Sequence, residues 1–194
     1  MQTAKDKLLH ALVTYIKKGE DIYQISLSKI AHDAEIGKST VYEYFESKDE
    51  MIIETYRYLI KHYQEILLKD IEAKDFKGAL LEELSHILMV MKDARSLMEA
   101  IMKVPHHQQV KLDVILKDEI TFIQNEMSER FNSIMHIGVK EGVIPFKKPK
   151  KETPYVVKAI ITGLLFQYIN QEFEMTEKDL LQLIFDEIVY VAKR

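Results

Sequence analysis

Ser26 to Met51, reading SLSKIAHDAEIGKSTVYEYFESKDEM, constrains the fold more than any other stretch of this chain. Ser26 is placed to cap a helix through Asp33, on which Leu27, Ile30, Ala31 and Ala34 share one apolar face. Glu35-Ile36-Gly37 interrupts that helix, with Ile36 set to plug the angle between two helices. Lys38 to Tyr44 then makes about two turns, exposing Lys38, Ser39, Thr40 and Glu43 while Val41 and Phe45 turn inward. So short a helix is not stable alone and must be held by packing on its neighbour. A short polar-faced helix held out by a scaffold is the design of a helix-turn-helix reading head.

Flanking segments complete that head. Thr3 to Lys18 carries Leu8, Leu9, Leu12, Val13 and Ile16 as an amphipathic helix stopped at Gly19. Its stripe suits the back of the two short helices, giving three helices in all. Ser47-Lys48-Asp49-Glu50 reads as a capping box. It opens a long helix with Ile52, Tyr56, Leu59, Tyr63 and Ile66 on one face, extending toward Ile71. A rod that starts beside the reading head suits transmission of movement to it.

The segment IAHDAEIGKSTVYEYFESKDEM resembles the DNA-binding signature of TetR-type transcriptional regulators. Ile30, Ala31, Ala34, Thr40, Val41, Tyr42, Tyr44, Phe45, Ser47, Lys48 and Met51 match it. Two positions depart: the turn residue usually held by Gly is Glu35, and the usual Ser before the recognition helix is Gly37. If residue 35 sits at positive φ, Glu there costs about 1 kcal/mol relative to Gly. Gly37 forfeits a side-chain cap.

Taken as a reading head, the stretch assigns Lys38, Ser39 and Thr40 to base edges. Hydroxyls donate or accept in the major groove, and the Thr40 methyl suits a thymine methyl. Tyr42, Tyr44, Lys48, Ser26 and Lys29 are assigned to phosphates, which position without specifying. For single residues a plainer role competes, since Tyr44 can simply pack and Ser26 can simply cap. Net charge is −4 and pI about 6.0, which argues against a non-specific nucleic-acid binder. Residues 1–48 hold seven lysines against seven carboxylates. Attraction to phosphate therefore depends on where the lysines stand, and modest affinity per head calls for a dimer.

Beyond Asp75 only helical periodicity continues. The pattern predicts helices over 76–91, 94–103, 110–139, 153–173 and 176–194, so the fold class is all-α with about nine helices. The expected division is a helix-turn-helix domain at 1–48 and a larger effector-binding and dimerisation domain at 49–194. Thr153-Pro154 suggests a cap followed by a first-turn proline. Val156, Val157, Ile160, Ile161, Leu164, Leu165, Phe166 and Ile169 cover most of one helix. Leu180, Leu181, Leu183, Ile184, Phe185, Ile188, Val189 and Val191 do so for the last. Helices apolar on two sides must be covered on two sides, by a second copy or as the centre of a monomeric core. The TetR resemblance implies the former, a four-helix bundle between protomers, with Ile160, Leu164, Ile184 and Ile188 at the interface.

Met89, Met91, Met98, Met102, Met127 and Met135 crowd the middle helices, where thioethers fill irregular space. Ordinary core packing explains such a cluster, and so does a pocket. The resemblance implies an effector cavity there for an apolar or amphipathic small molecule. His86, Met89, Met98, Met102, Phe122 and Met127 are its candidate lining.

Glu83-x-x-His86 has the spacing of a di-iron bundle ligand pair but has no second copy. His106-His107 follows Pro105 as a solvated pair. No cysteine is present, so neither a disulfide nor a thiolate site is available. The expectation is no metal, no cofactor and no catalytic residue. The charged N-terminal segment does not read as a signal peptide, and the apolar run at 159–169 is too short to span a bilayer. A cytoplasmic location without membrane contact is expected. The combined expectation is a homodimeric repressor on a palindromic operator of double-stranded DNA, released by an effector. An all-helical enzyme or carrier with a vestigial head is the alternative.

Overall fold

The computed structural model describes residues 3–103, 112, 114–146 and 150–194, without the side chains of 96 and 98–103. Eight helices form among the described residues. They are α1 Ala4–Lys17, α2 Leu27–Asp33, α3 Lys38–Tyr44, α4 Lys48–Leu67, α5 Phe76–Lys103, α6 Lys117–Lys140, α7 Thr153–Ile169 and α8 Glu177–Lys193. The chain divides into two compact units, one of residues 1–65 with 93–122 and the other of 66–92 with 123–194.

In the first unit α1 starts from a reciprocal cap, Thr3 Oγ1 accepting from the Asp6 amide and Asp6 accepting from the Thr3 amide. Its stripe Leu8, Leu12 and Ile16 is completely buried with Ile30, Met51, Ile52, Tyr56 and Leu59. Ion pairs carry this packing outward. Lys17 pairs with Asp93 at 2.8 Å, and Tyr63 donates to the same carboxylate at 3.2 Å. Lys5 pairs with Glu54 at 3.2 Å, Arg57 with Glu54 at 2.9 Å, and Arg57 with Glu119 at 3.3 Å.

The second unit is built on Phe76, Leu80, Leu84 and Leu88 of α5, Ile134 of α6, Val157, Ile161 and Leu165 of α7, and Leu180, Ile184 and Ile188 of α8. The start of α5 is capped from a distance, the Phe76 amide donating to the Glu141 carboxylate at 3.0 Å. Gly138 is required where α6 passes Phe76, because a Cβ there would stand 2.9 Å from the Phe76 ring and 3.0 Å from Ile144. Its smallness, not its backbone freedom, is what the packing uses.

Several expected boundaries move. Residues 76–103 form one helix and not two, because Met91 to Ala94 contains no breaker and nothing stops the hydrogen-bond ladder. Of the helix expected over 110–139, Lys117–Lys140 is α6; residues 112, 114 and 115 are also helical, with a turn at Leu116 between, and 110, 111 and 113 lie outside the described residues. Pro105, His106, His107 and Pro149 lie outside the described residues. Helix α7 is preceded by Glu152, which gives no side-chain cap, so Thr153 is a helical residue and Pro154 follows inside the first turn. The same helix stops at Ile169, short of Phe173, because Gln171 adopts φ 58 and turns the chain away. Thr176 does cap α8, accepting from the Asp179 amide.

Candidate nucleic-acid interface

The geometry of the head follows from how α2 ends. The Ile36 amide donates to the Ala31 carbonyl at 2.9 Å and the Glu35 amide to the His32 carbonyl at 3.0 Å. That pair of bonds is the Schellman closure, which places the residue after the C-cap in the left-handed region. The residue is Glu35, at φ 57. Gly37 then precedes α3 in an extended conformation and supplies no side-chain cap. Both departures from the common signature thus stand where they matter to the turn, and the turn forms regardless.

Packing holds α3 in place. Val41 and Phe45 are almost wholly buried, and burial of such side chains supplies roughly 1.5–3 kcal/mol each. The opposite face is open: Lys38 and Ser39 are exposed, Thr40 is half-buried, and Tyr42 and Tyr44 keep 59% and 42% of their surface. Two aromatic hydroxyls, a primary hydroxyl and an ammonium are therefore presented together. A short helix with this inventory can reach base edges from its first turn and phosphates from its tyrosines.

On α2, Ser26 is exposed but its hydroxyl accepts from the Lys29 amide at 3.2 Å, so it caps the helix. Lys29 is exposed, its ammonium 5.0 Å from the centre of the Tyr15 ring. Lys48 is placed differently from its sequence expectation. Its ammonium donates to the Tyr23 carbonyl at 2.5 Å and is half-buried, and that burial lowers its pKa against the opposing pull of Asp21 and Asp49. In this conformation Lys48 holds the loop before α2 and does not project with Lys29 and Lys38.

One support lies across 18 residues, outside the reach of helical periodicity. The Tyr15 hydroxyl donates a short hydrogen bond to Asp33, tying α1 to the end of α2. That bond is the largest cause both of the Tyr15 hydroxyl being pushed up to about 12 and of the Asp33 carboxyl lying below its ordinary value. Tyr23 is likewise pushed up to about 12, mainly by burial and then by Asp49 and Asp21. The available signal was Tyr15 beside Ile16 on a face already full of aliphatic residues.

The residues expected to line an effector cavity do not form one group. Met89 and Phe122 are exposed, at 52% and 48%, and Met127 is half-buried. The Met98 and Met102 side chains lie outside the described residues. His86 is buried, its Nδ1 lacks a hydrogen-bond partner, and burial lowers its pKa, so it is neutral near pH 7. Its neighbour in the Glu-x-x-His pair, Glu83, is committed to Arg130 at 3.4 Å.

The dimer candidates also separate. Ile184 and Ile188 are completely buried within a single chain, so they serve its own core and have no surface to offer a partner. Ile160 and Leu164 are half-buried. The outward apolar surface of α7 is instead Tyr155, Val156 and Phe166, at 77%, 43% and 55% exposure, with nothing within 4 Å of a Cβ at Gly163. Tyr190 of α8 adds 53%.

Comparison with known proteins places this arrangement. The sequence model for bacterial regulatory proteins of the tetR family matches residues 20–55. No curated protein matches the chain. Among solved structures, a TetR transcription regulator from Haloarcula marismortui is similar at TM-score 0.67 and 15% identity, covering 97% of this chain and 96% of that one. The TetR family regulator PfmR from Thermus thermophilus is similar at 0.61 and 17%, covering 100% of both. FadR from Bacillus subtilis, solved in complex with stearoyl-CoA, is similar at 0.56 and 18%, covering 96% of each. The head formed by α2, the turn at Glu35 and α3 is thus that of the TetR family of bacterial regulatory proteins, on a chain with the TetR-type regulator fold.

Proposed function

We propose that the protein is a homodimeric transcriptional regulator, a repressor that leaves a palindromic operator when a small amphipathic effector binds. The observation that carries this reading is α3. Its apolar residues Val41 and Phe45 are buried while Lys38, Ser39, Tyr42 and Tyr44 are held outward. Residues 1–48 act as the reading head and 49–194 as the effector and dimer region. Lys38, Ser39 and Thr40 read bases; Lys29, Tyr42 and Tyr44 fix the head on phosphates. Two heads about one duplex turn or somewhat more apart fit a two-fold operator.

The exposed face of Tyr155, Val156 and Phe166 supports self-association through α7. FadR, a fold neighbour, was solved with stearoyl-CoA, which supports an amphipathic effector class here. Effector binding favours a conformer in which α4 is displaced and the heads no longer match the operator. The coupling is a difference of affinity between conformers. The protein works in the cytoplasm, where its DNA is; among the described residues no helix is long and apolar enough to cross a membrane.

The test is fluorescence anisotropy on DNA from immediately upstream of the protein's own gene, with scrambled DNA as control, over a salt series. Preferential binding with a salt slope of several phosphates is expected. Absence of binding at low salt, to this DNA and to genomic fragments, refutes the regulator reading. Sedimentation of wild type and Phe166→Glu tests the dimer: the wild type should sediment as a dimer and the variant as a monomer.

A further inference from the structure

The second unit contains a groove of about 320 Å³ that none of the candidate effector-lining residues lines. Its floor is apolar, from Ile71 of the α4–α5 connector, Ala79 of α5, and Ile134 and Ile137 of α6. Its polar rim is Arg130, Ser133, Lys74 and Asp70. The volume is at the small end of the roughly 300–1,000 Å³ of ligand sites and suits a single chain.

Arg130 gives the groove its chemistry. Its Nη1 donates to the carbonyls of Leu67 at 3.0 Å and Lys69 at 2.7 Å, and its Nη2 to that of Leu68 at 2.7 Å. These three carbonyls lie at and just after the C-terminal end of α4, and they engage Nη1 and one N–H of Nη2 without neutralising the charge. The carboxylate beside it, Glu83, accepts only at 3.4 Å and is 2% exposed. Burial pushes that carboxyl upward, more than Arg130 lowers it. The groove's own lining therefore includes a guanidinium beside aliphatic side chains, while the carboxylate paired with it, Glu83, is not among the lining residues. A second cation, Lys74, and a single carboxylate, Asp70, also line the groove. Guanidinium binds carboxylate with two parallel hydrogen bonds, and the Ser133 hydroxyl, which donates to the Glu129 carbonyl at 3.0 Å, keeps its lone pairs.

The geometry points to this groove as a binding site for an amphipathic carboxylate, its head on Arg130 and its chain along Ile71, Ala79, Ile134 and Ile137. A carboxylate there competes with the α4 carbonyls for the guanidinium. The consequence for DNA release rests on the effector-responsive reading above; the binding itself does not.

Octanoate and octylamine share a chain and differ in the sign of the head, and calorimetry on the DNA-free protein compares them. Octanoate is expected to bind at least ~10-fold tighter, about 1.4 kcal/mol. Ser133→Trp, at an exposed position of the lining, should fill the groove and abolish octanoate binding while leaving the Arg130–Glu83 pair intact. Lys74→Glu should weaken it several-fold. The double change Arg130→Gln with Glu83→Gln removes both charges of the pair together and should erase the preference for the anion. Equal binding of the two amphiphiles, no octanoate binding at millimolar concentration, or binding unchanged in Ser133→Trp overturns the proposal. Operator anisotropy of the ligand-free protein tests the regulator reading separately, so the two can fail independently.

Discussion

Replacing Glu35 by glycine should stabilise the protein without touching its core. The residue is exposed at φ 57, and the Schellman closure around it, through the Ile36 and Glu35 amides, fixes that conformation. An L-residue in the left-handed region costs about 1–2 kcal/mol relative to one that is at ease there. Glycine removes that strain but enlarges the conformational freedom of the unfolded chain, which returns about 0.4–1 kcal/mol. The net gain is about 1 kcal/mol, or roughly 2–4 °C in Tm for a chain of this size. Glu35→Ala is the necessary partner variant, because alanine loses the carboxylate and keeps the Cβ strain. Calorimetric or circular-dichroism melts of the three proteins, at one concentration and in one buffer, should place glycine above wild type and alanine near it. Equal stabilisation by alanine and glycine would show that the carboxylate, not the backbone, was the burden. No gain from glycine would refute the strain argument altogether. Operator binding should separate the effects differently: both variants lose a negative charge beside α3, so both should bind DNA more tightly at low salt and converge as salt screens it.

Three further outcomes follow from the same structure. Asp33 is held below its ordinary value by the Tyr15 hydroxyl first and by His32 second, and Asp93 by Lys17 first. A depressed carboxylate contributes stability above its unfolded pKa and loses it as pH falls through the folded one. Tyr15→Phe should therefore lower Tm at pH 7, with the deficit shrinking below the ordinary carboxylate range in a pH series of melts. Gly138→Ala should lose up to about 2 kcal/mol by chemical denaturation, since overpacking against Phe76 costs about 1–3 kcal/mol and alanine's helix preference recovers about 1. Finally, Tyr42→Phe should weaken binding to all DNA sequences similarly, whereas Ser39→Ala should change the ranking of operator variants in a competition assay. Identical behaviour of the two would defeat the division into positioning and reading residues.

What could be read from the chain and what could not divide by the range of the interaction. Thr3, Ser26 and Thr176 cap the helices they precede because a cap is a bond across three residues, visible in the spacing. The inward turn of Val41 and Phe45 and the outward turn of Lys38 and Ser39 are equally local, being helical periodicity. The bond from Lys48 to a carbonyl 25 residues away is not legible in the sequence, because it depends on a loop whose course no pattern states. Ile184 and Ile188 were assigned to an interface because periodicity says that a helix is apolar on two sides, not which side its own chain covers. Arg130 does leave a trace in the sequence. It stands seven residues after Ile123 and four before Ile134, on the buried stripe of α6, where an arginine needs a reason. Glu83, seven after Phe76 on α5, is the matching anomaly.

The pairing of Lys17 with Asp93, and of Arg57 with Glu119, bears on how such a chain can be cut. The stretch that matches bacterial regulatory proteins of the tetR family is residues 20–55, yet the compact unit that contains it also takes in residues 93–122. A fragment ending after α4 keeps the reading helix but discards Leu97 and Leu116, both buried in the intact chain, together with both acidic partners. The stretch that carries the family likeness and the stretch that folds as one unit are therefore different lengths of polypeptide. Grafting the reading head onto another protein requires the second length to be supplied or replaced.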